Sequence, residues 1–179
     1  MKPTYFYLCA PSGAGKNALL SALQEFDSAP YVVRRTITRE ADATEASESV
    51  TENEFERLKG SGAFALDWSA NGLCYGIRAD ELAQAERVII NGSRAYWPDA
   101  KLRIPALLLV TIEVPEPLLK ERLIARGRES EFEIYARLKR NRELAKTLKA
   151  DEPFCTLVND RTPRAMAIDF MEAIACISD

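Results

Sequence analysis

The chain of 179 residues has the length of a single domain, and its 47% hydrophobic and 28% charged content is ordinary for a soluble globular protein. The formal net charge of −3 argues against a general nucleic-acid binder, although arginine is locally concentrated. The chain contains no histidine, which excludes an imidazole base and a histidine-rich metal site.

The cysteines and the N-terminus bear on the cellular location. The four cysteines are widely spaced and form no CxxC pair, which favours reduced thiols. No apolar run reaches the length of a membrane span, and the first residues, MKPTYFYLCA, lead directly into a strand-like stretch. We therefore expect a cytoplasmic protein that binds neither membrane nor nucleic acid; a homodimer is also compatible with the sequence.

The N-terminal half alternates short apolar runs with helical patterns. Residues 4–10 (TYFYLCA) are β-branched, aromatic and apolar, which predicts a buried strand. Leucines at helical spacing predict a helix at residues 16–26. The other elements predicted in this half are a strand at 31–34, an acidic solvated connection at 40–51, a helix at 54–59, and an antiparallel strand pair at 63–68 and 75–77.

The C-terminal half shows the same alternation. The apolar runs and helical patterns predict strands at 87–91, 106–113 and 154–158 and helices at 115–125, 134–150 and 162–177. Strands that alternate with helices predict an α/β domain with a mostly parallel sheet.

The stretch LCAPSGAGKNALL, residues 8–20, carries the strongest functional pattern. Gly13 and Gly15 allow successive backbone N–H groups to face one centre, and Lys16 supplies a charge for the β- and γ-phosphates of a nucleotide. The alternative is a glycine-containing turn with a surface lysine, which the position between a strand and an apolar helix disfavours. The predicted nucleotide-binding loop comprises Ala10, Pro11, Ser12, Gly13, Ala14, Gly15, Lys16 and Asn17.

Two residues depart from the phosphate-loop pattern G-x-x-x-x-G-K-[ST]. Ala10 replaces the first glycine but is still small. Asn17 replaces the hydroxyl that normally holds Mg²⁺ beside the nucleotide. Because hard cations accept neutral oxygen donors, we predict that the Asn17 amide oxygen ligates Mg²⁺ directly or through water, in a shifted geometry.

Arginines recur in the regions that follow. They are Arg34, Arg35, Arg39, Arg126, Arg128, Arg137 and Arg140. Positions 137, 140 and 141 fall on one face of a helix, so Arg137, Arg140 and Asn141 are expected to point together. Such a series suits neutralisation of charge on a transferring phosphoryl group. The alternative is a solvated, charged helix face.

The motifs PSGAGK, TITR, WSANGLCYG, ERLIARGRESEFEIYARL and TLVND, in this order, resemble the guanylate kinase branch of the P-loop kinases over nearly the whole chain. The resemblance implies a three-layer α/β P-loop kinase fold with a mostly parallel five-stranded sheet, a small acceptor-binding insertion and a helical lid. It implies one domain with a core at residues 1–34, 86–125 and 150–179, an insertion at about 35–85 and a lid at about 126–149.

The same resemblance assigns catalytic roles. Lys16 matches the phosphate lysine, and Arg126 and Arg137 match the lid arginines with the family's spacing between them. These three residues are the predicted catalytic set, and Arg128 joins them on the ATP side.

The resemblance also places residues around the two substrates. Tyr75 and Arg39 match groups that contact the acceptor phosphate, and Arg35 directly precedes the TITR segment that ends at Arg39. Asn159 and Asp160 match the loop beside the adenine of ATP.

The acceptor side departs from a guanylate kinase. Asp42 stands where that family has another arginine, Ile77 replaces a Ser or Thr, and NGS at residues 91–93 replaces an acidic D-x-D segment. The guanine-contacting tyrosine has no counterpart. Because the phosphate-handling residues are kept while the base-reading residues are lost, we predict a phosphorylated acceptor without a guanine.

A closer similarity connects APSGAGKNALL, ITREADA, WSANGLCYGI, INGSRAYWP and RGRES with the ribose 1,5-bisphosphate phosphokinases. It implies that ATP and ribose 1,5-bisphosphate, both small molecules, give ADP and 5-phosphoribosyl 1-diphosphate in phosphonate catabolism, with Mg²⁺ as cofactor. A phosphate acceptor is already an oxyanion and needs no base, in agreement with the missing histidine. Asn91, Ser93 and Arg94 are candidates for the sugar phosphate or a metal-bound water; alternatively, NGS is only the turn that ends a strand.

Two rival functions stay open. A nucleoside monophosphate kinase is favoured by Asp67, near the position of the guanine-reading acid, and disfavoured by Ile77. A catalytically inactive guanylate-kinase-like binding module is favoured by Asn17 and disfavoured by the retained lysine and lid arginines. We expect Cys74 and Trp68 to be packing residues.

Overall fold

A computed structural model describes residues 3–40, 47–127, 129–148 and 152–177. Its strands are β1 (Thr4–Cys9), β2 (Tyr31–Val32), β3 (Arg35–Ile37), β4 (Ser47–Ser49), β5 (Phe64–Ala70), β6 (Leu73–Arg78), β7 (Arg87–Asn91), β8 (Leu107–Glu113) and β9 (Cys155–Val158). Its helices are α1 (Lys16–Leu23), α2 (Glu52–Gly60), α3 (Trp97–Arg103), α4 (Glu116–Arg126), α5 (Glu131–Leu148) and α6 (Pro163–Ala175), with a 3₁₀ turn at Glu81–Ala83. None of the helices in these ranges is long and apolar enough to cross a membrane.

Two sheets organise the chain. The first has five strands in the order β2-β7-β1-β8-β9, and every pairing in it is parallel. The second has the order β4-β3-β6-β5 and combines one parallel pairing with two antiparallel ones. The predicted α/β fold with a five-stranded parallel sheet is confirmed, as is the antiparallel pair β5–β6.

Alternation along β1 distributes its side chains between two layers, because successive residues of a strand face opposite sides of the sheet. Phe6 and Leu8 enter a core that α1 and α6 cover. Tyr7 and Cys9 enter a second core with Trp97 of α3 and residues of the second sheet. The central strand is therefore buried on both faces from Phe6 to Cys9.

Three short elements were not predicted from the sequence. Strands β3 (RTI) and β4 (SES) have only three residues each, too few to show a periodicity; β4 lies in the stretch predicted to be a solvated connection. Residues 41–46 of that connection lie outside the described residues. Helix α3 has seven residues and Pro98 in its first turn, where proline is tolerated although it resembles a break.

We predict that Gly92→Ala destabilises the protein by about 1–3 kcal/mol, because the added methyl group has no space beside the packed ring of Tyr7. A Cβ at Gly92 would lie 2.2 Å from Cζ of Tyr7. The Tyr7 ring cannot retreat, since it is fully buried and its hydroxyl is hydrogen-bonded to the backbone N–H (3.0 Å) and carbonyl (3.1 Å) of Ser93.

Thermal denaturation tests this prediction. Gly60→Ala is the matched control, because the Cβ it adds at the end of α2 meets nothing within 4 Å, and its melting temperature is expected to equal or exceed that of the parent. A Gly92→Ala protein that melts with the parent would contradict the prediction.

Candidate active site

The loop between β1 and α1 has the backbone that the sequence predicts. Gly13 and Gly15 both have φ +90, a left-handed conformation that favours glycine. The N–H of Ala14 donates to the carbonyl of Pro11 at 3.0 Å, which closes a tight turn. The loop thus forms an N–H-lined bend at the start of a helix, a geometry suited to an anion.

A buried asparagine is hydrogen-bonded to the backbone of this loop. Nδ2 of Asn159 donates to the carbonyl of Ala14 at 2.7 Å, and a Cβ at Gly15 would lie 2.4 Å from the same atom. Arg122 donates from Nη2 to the backbone carbonyl and to Oδ1 of Asn159, both at 3.3 Å. The side chain of Asn159 is therefore engaged with the loop backbone, whereas Asp160 beside it is exposed.

Arg122 was not singled out by the sequence analysis. It lies on α4 among other charged residues, and only its contact with Asn159 distinguishes it. A motif search has no signal for such a residue, because its role depends on a neighbour 37 positions away.

Lys16 lies in a strongly positive environment. Its Nζ is 3.5 Å from the carbonyl oxygen of Ala10. Burial lowers the pKa of Lys16 to about 8; Cys9 opposes this shift, and the charges of Arg35 and Arg94 add smaller contributions in the same direction as burial. Since an anion would restore the protonated form, Lys16 is prepared for a negatively charged ligand.

Two asparagine amides meet where the phosphate loop approaches the end of β7. Nδ2 of Asn91 lies 3.4 Å from Oδ1 of Asn17. Asn91 is 3% exposed, and within the described part of the chain its Oδ1 has no hydrogen-bond partner. A buried, unsatisfied oxygen is costly, so this pair offers neutral oxygen ligands to a hydrated cation.

A cavity of about 700 Å³ connects these groups. Twelve of the residues predicted for the site line it: Ala10, Ser12, Lys16, Asn17, Arg35, Arg39, Tyr75, Asn91, Ser93, Arg94, Arg126 and Arg137. Arg140 and Asn141, predicted to share a helix face with Arg137, line it too. Glu129 and Glu133 also line it and were not predicted. Arg128 lies outside the described residues.

The second sheet contributes one wall. The guanidinium of Arg35 lies over the Tyr75 ring at 5.4 Å and donates to the carbonyl of Asn91 at 3.1 Å. Burial lowers the pKa of Arg35 to about 10. Tyr75 stacks on Trp68, with ring centroids 5.4 Å apart, and Trp68 stacks on Tyr96 at 5.3 Å. The predicted packing role of Trp68 is confirmed, and the stack fixes the orientation of Tyr75.

The opposite wall comes from α4 and α5. Arg126 ends α4, and its Nη1 would be 3.9 Å from a Cβ at Gly13. Arg137 donates to the hydroxyl of Ser12 and forms an ion pair with Glu129. Arg126 and Arg137, which lie on two successive helices, are thus both near the phosphate loop.

The parallel sheet, the glycine loop and the ring of arginines define a P-loop kinase of the guanylate kinase-like type. Over 97% of the chain, the fold matches a guanylate kinase from Anaplasma phagocytophilum with a TM-score of 0.71 at 17% identity, covering 85% of that chain. A gluconokinase from Sinorhizobium meliloti 1021 gives a TM-score of 0.55 at 17% identity, covering 97% of this chain and 92% of that one. No protein-family model matches the chain.

Sequence relatives are more specific. A ribose 1,5-bisphosphate phosphokinase PhnN from Pseudomonas paraeruginosa is 47% identical over 174 residues, covering 89% of this chain and 91% of that protein. The PhnN of Azotobacter vinelandii is 44% identical over 144 residues, covering 77% and 79%. A bifunctional ribose 1,5-bisphosphokinase-thymidine phosphorylase from Azorhizobium caulinodans is 38% identical over 95% of this chain, which spans 25% of that protein. The chain belongs to the ribose 1,5-bisphosphate phosphokinase family.

We predict that Lys16 of the free protein titrates at about pH 8. The affinity for a phosphate anion is then insensitive to this group below pH 8 and falls as the pH rises through that value, because only the protonated amine attracts the anion. The ¹³Cε chemical shift of labelled lysine, assigned by its loss in Lys16→Arg, measures the midpoint directly.

Lys59 is the internal control in the same spectra, because its hydrogen-bonded ion pair with Asp67 raises its pKa. Adding sulfate is expected to move the Lys16 midpoint upward and to leave that of Lys59 in place. A Lys16 midpoint at the ordinary value for lysine would contradict the desolvated environment.

Proposed function

We propose that the protein transfers the γ-phosphoryl group of ATP to the 1-phosphate of ribose 1,5-bisphosphate, giving ADP and 5-phosphoribosyl 1-diphosphate. The observation that carries the proposal is the single cavity that joins a phosphate loop to a second group of cations on the opposite wall. The 47% identical relative named for this substrate supports the choice of acceptor.

The carboxylates of the cavity favour a phosphate acceptor over a hydroxyl acceptor. A hydroxyl must lose its proton to a base, whereas a phosphate is already an oxyanion. The two carboxylates that line the cavity among the described residues are engaged: Glu129 pairs with Arg137, and Glu133 accepts hydrogen bonds from Ser130. The hydrogen bonds from Ser130 lower the pKa of Glu133, which makes it a weaker base.

On the ATP side, catalysis consists of alignment and charge neutralisation. We assign the phosphates of ATP to the loop N–H groups and Lys16, and the developing charge on the transferring group to Arg126 and Arg137. The contact of Arg137 with Ser12 supports this assignment, because it already brings the guanidinium to the phosphate loop. Arg128 and the adenine-side residues Asn159 and Asp160 belong to the same proposal.

On the acceptor side, the second sheet supplies the phosphate contacts. We assign the 1-phosphate to Arg39 and Tyr75, next to Arg35 and the carboxyl end of β7. The guanidinium groups lower the free energy of two phosphates that must approach each other during transfer. The wider acceptor-binding set is Arg35, Arg39, Tyr75, Asn91, Ser93 and Arg94.

The geometry disfavours a guanylate kinase. Asp67, the acid nearest the expected guanine position, forms ion pairs with Lys59 and Arg103 at 2.8 Å each. Ile77 is fully buried in the second core. Asp67 is neutralised by its ion pairs and Ile77 is apolar, so neither residue is available to form hydrogen bonds with a guanine base.

Mg²⁺ fits the asparagine pair. The donors in place are Oδ1 of Asn17 and the unsatisfied Oδ1 of Asn91, and no cluster of three or more His, Cys, Asp or Glu residues is present in the described ranges. Bound with ATP, the ion would neutralise phosphate charge, and the phosphates themselves would supply its anionic ligands. The two amides would orient it without cancelling its charge.

The three functional units remain a proposal. The second sheet is built from residues 35–78, within the expected insertion at about 35–85, and α5 lies in the expected lid at about 126–149. All four cysteines are free thiols, which supports a reducing cytoplasmic location. The homodimer and the absence of a nucleic-acid partner stay predictions.

An acceptor screen tests the proposed function. We expect rapid ATP turnover with ribose 1,5-bisphosphate and formation of 5-phosphoribosyl 1-diphosphate, identified by mass and ³¹P spectra, and little turnover with GMP. Lys16→Met should lower kcat at least about 100-fold, because it removes a charge at the transferring group. Preferential turnover of GMP would establish the nucleotide kinase instead, and no turnover of any acceptor would favour the inactive binding module.

We predict that Asn17→Ala raises the Mg²⁺ concentration needed for half-maximal activity at least about tenfold. Asn17→Ser should bring no gain, since the neighbouring Asn91 provides no carboxylate to share the ion. Metal-titrated rates of the parent and both variants measure this effect. Asn53→Ala, on the exposed face of α2, is the matched control. An alanine variant equal to the parent would make Asn17 a spacer at the start of α1.

A further inference from the structure

Arg94 occupies an unusual position on the cavity wall. It follows β7, is only 9% exposed, and lines the same cavity as Lys16. Its guanidinium donates to the carbonyl (3.4 Å) and to Oδ1 (2.5 Å) of Asn141 on α5. No carboxylate in the described ranges forms an ion pair with it.

A buried guanidinium without an anionic partner is energetically costly. Burial lowers the pKa of Arg94, and the like charge of Arg140 acts in the same direction. The amide of Asn141 carries a second unsatisfied group, because its buried Nδ2 has no hydrogen-bond partner within the described residues. A charged donor without an anionic partner and a neutral donor without an acceptor thus lie side by side on the cavity wall.

Arg94 and Asn141 belong to other elements than the groups assigned to the 1-phosphate. The 1-phosphate is assigned to Arg39 and Tyr75 on the second sheet, whereas Asn141 belongs to α5 on the opposite wall. Arg94 and Lys16 line one cavity. An acceptor with a phosphate at each end of a pentose carries one anion for each of these two groups.

We infer that Arg94 and Asn141, with Arg140 beside them, form a second anion subsite that binds the 5-phosphate of the acceptor, the phosphate that is not transferred. This inference rests on the proposed function. The 5-phosphate supplies the missing counter-charge for Arg94 and the missing acceptor for Nδ2 of Asn141.

The subsite explains how the enzyme recognises a bisphosphate without reading a base. Remote binding energy from a non-reacting group is used to position the reacting one. A monophosphorylated sugar lacks one of the two anchors and loses that positioning. Specificity is then set by two arginine-bearing walls on either side of Lys16.

Inhibitor constants separate the two subsites. Ribose 5-phosphate and ribose 1-phosphate are each measured as competitive inhibitors against ribose 1,5-bisphosphate. In Arg94→Met the inhibition constant of ribose 5-phosphate should rise about 10- to 100-fold, the loss expected for a charge-assisted hydrogen bond. The constant for ribose 1-phosphate should change at most about threefold. Arg39→Gln should give the opposite pattern.

Arg142→Met is the matched control, because Arg142 lies on α5 next to Asn141 but pairs with Glu116 at 3.0 Å and does not line the cavity. It should leave both constants unchanged. Should Arg94→Met fail to fold, Asn141→Asp replaces it, since a carboxylate there pairs with Arg94 and repels the phosphate. The same selective loss of ribose 5-phosphate binding is expected.

The outcomes distinguish the subsite from the proposed function. A parent enzyme that does not phosphorylate ribose 1,5-bisphosphate overturns the proposed function and the subsite with it. An active parent in which Arg94→Met or Asn141→Asp weakens both inhibitors equally, or neither, overturns the subsite alone. Selective loss of ribose 5-phosphate supports it.

Discussion

Lys16 shares a cavity with two guanidinium groups, those of Arg35 and Arg94, and burial penalises each of these charges. Like charges at close range repel, and low exposure removes the solvent that would screen them. The fold holds them with neutral groups: the Ala10 carbonyl faces Lys16, and Asn141 holds Arg94. The cavity therefore keeps a positive field for a polyanion, and the protein spends part of its stability on maintaining it.

The use of amides in place of acids follows from the same constraint. A carboxylate at position 17 or 91 would ligate a cation well, but it would also pair with the nearby lysine and arginines. Asn17 and Asn91 offer oxygens without a negative charge, so the field of the cavity remains directed at the phosphates. In the proposed Mg²⁺ complex, the anionic ligands of the ion would come from the substrate phosphates, as is common for Mg²⁺.

The hydrogen bonds that hold the phosphate loop come from residues distant in the sequence. Asn159 holds the Ala14 carbonyl from a position 145 residues away, and Arg122 holds Asn159 in turn. The resemblance places Asn159 in the loop beside the adenine of ATP, and that assignment stays a prediction. The contact of its amide with the phosphate loop could not be predicted, because a motif marks the position of a residue but not the direction of its side chain. The amide lies in the space that Gly15 leaves by having no Cβ.

Local chemistry determined the parts that the sequence could predict. The glycines of the phosphate loop, the strand β1, and the shared face of Arg137, Arg140 and Asn141 each depend on spacings within a few residues. Strands β3 and β4, the pairing of Arg94 with Asn141, and the ion pairs that occupy Asp67 depend on neighbours distant in the chain. Only the tertiary structure decides such contacts, because burial and charge compensation depend on which side chains the packed sheets bring together.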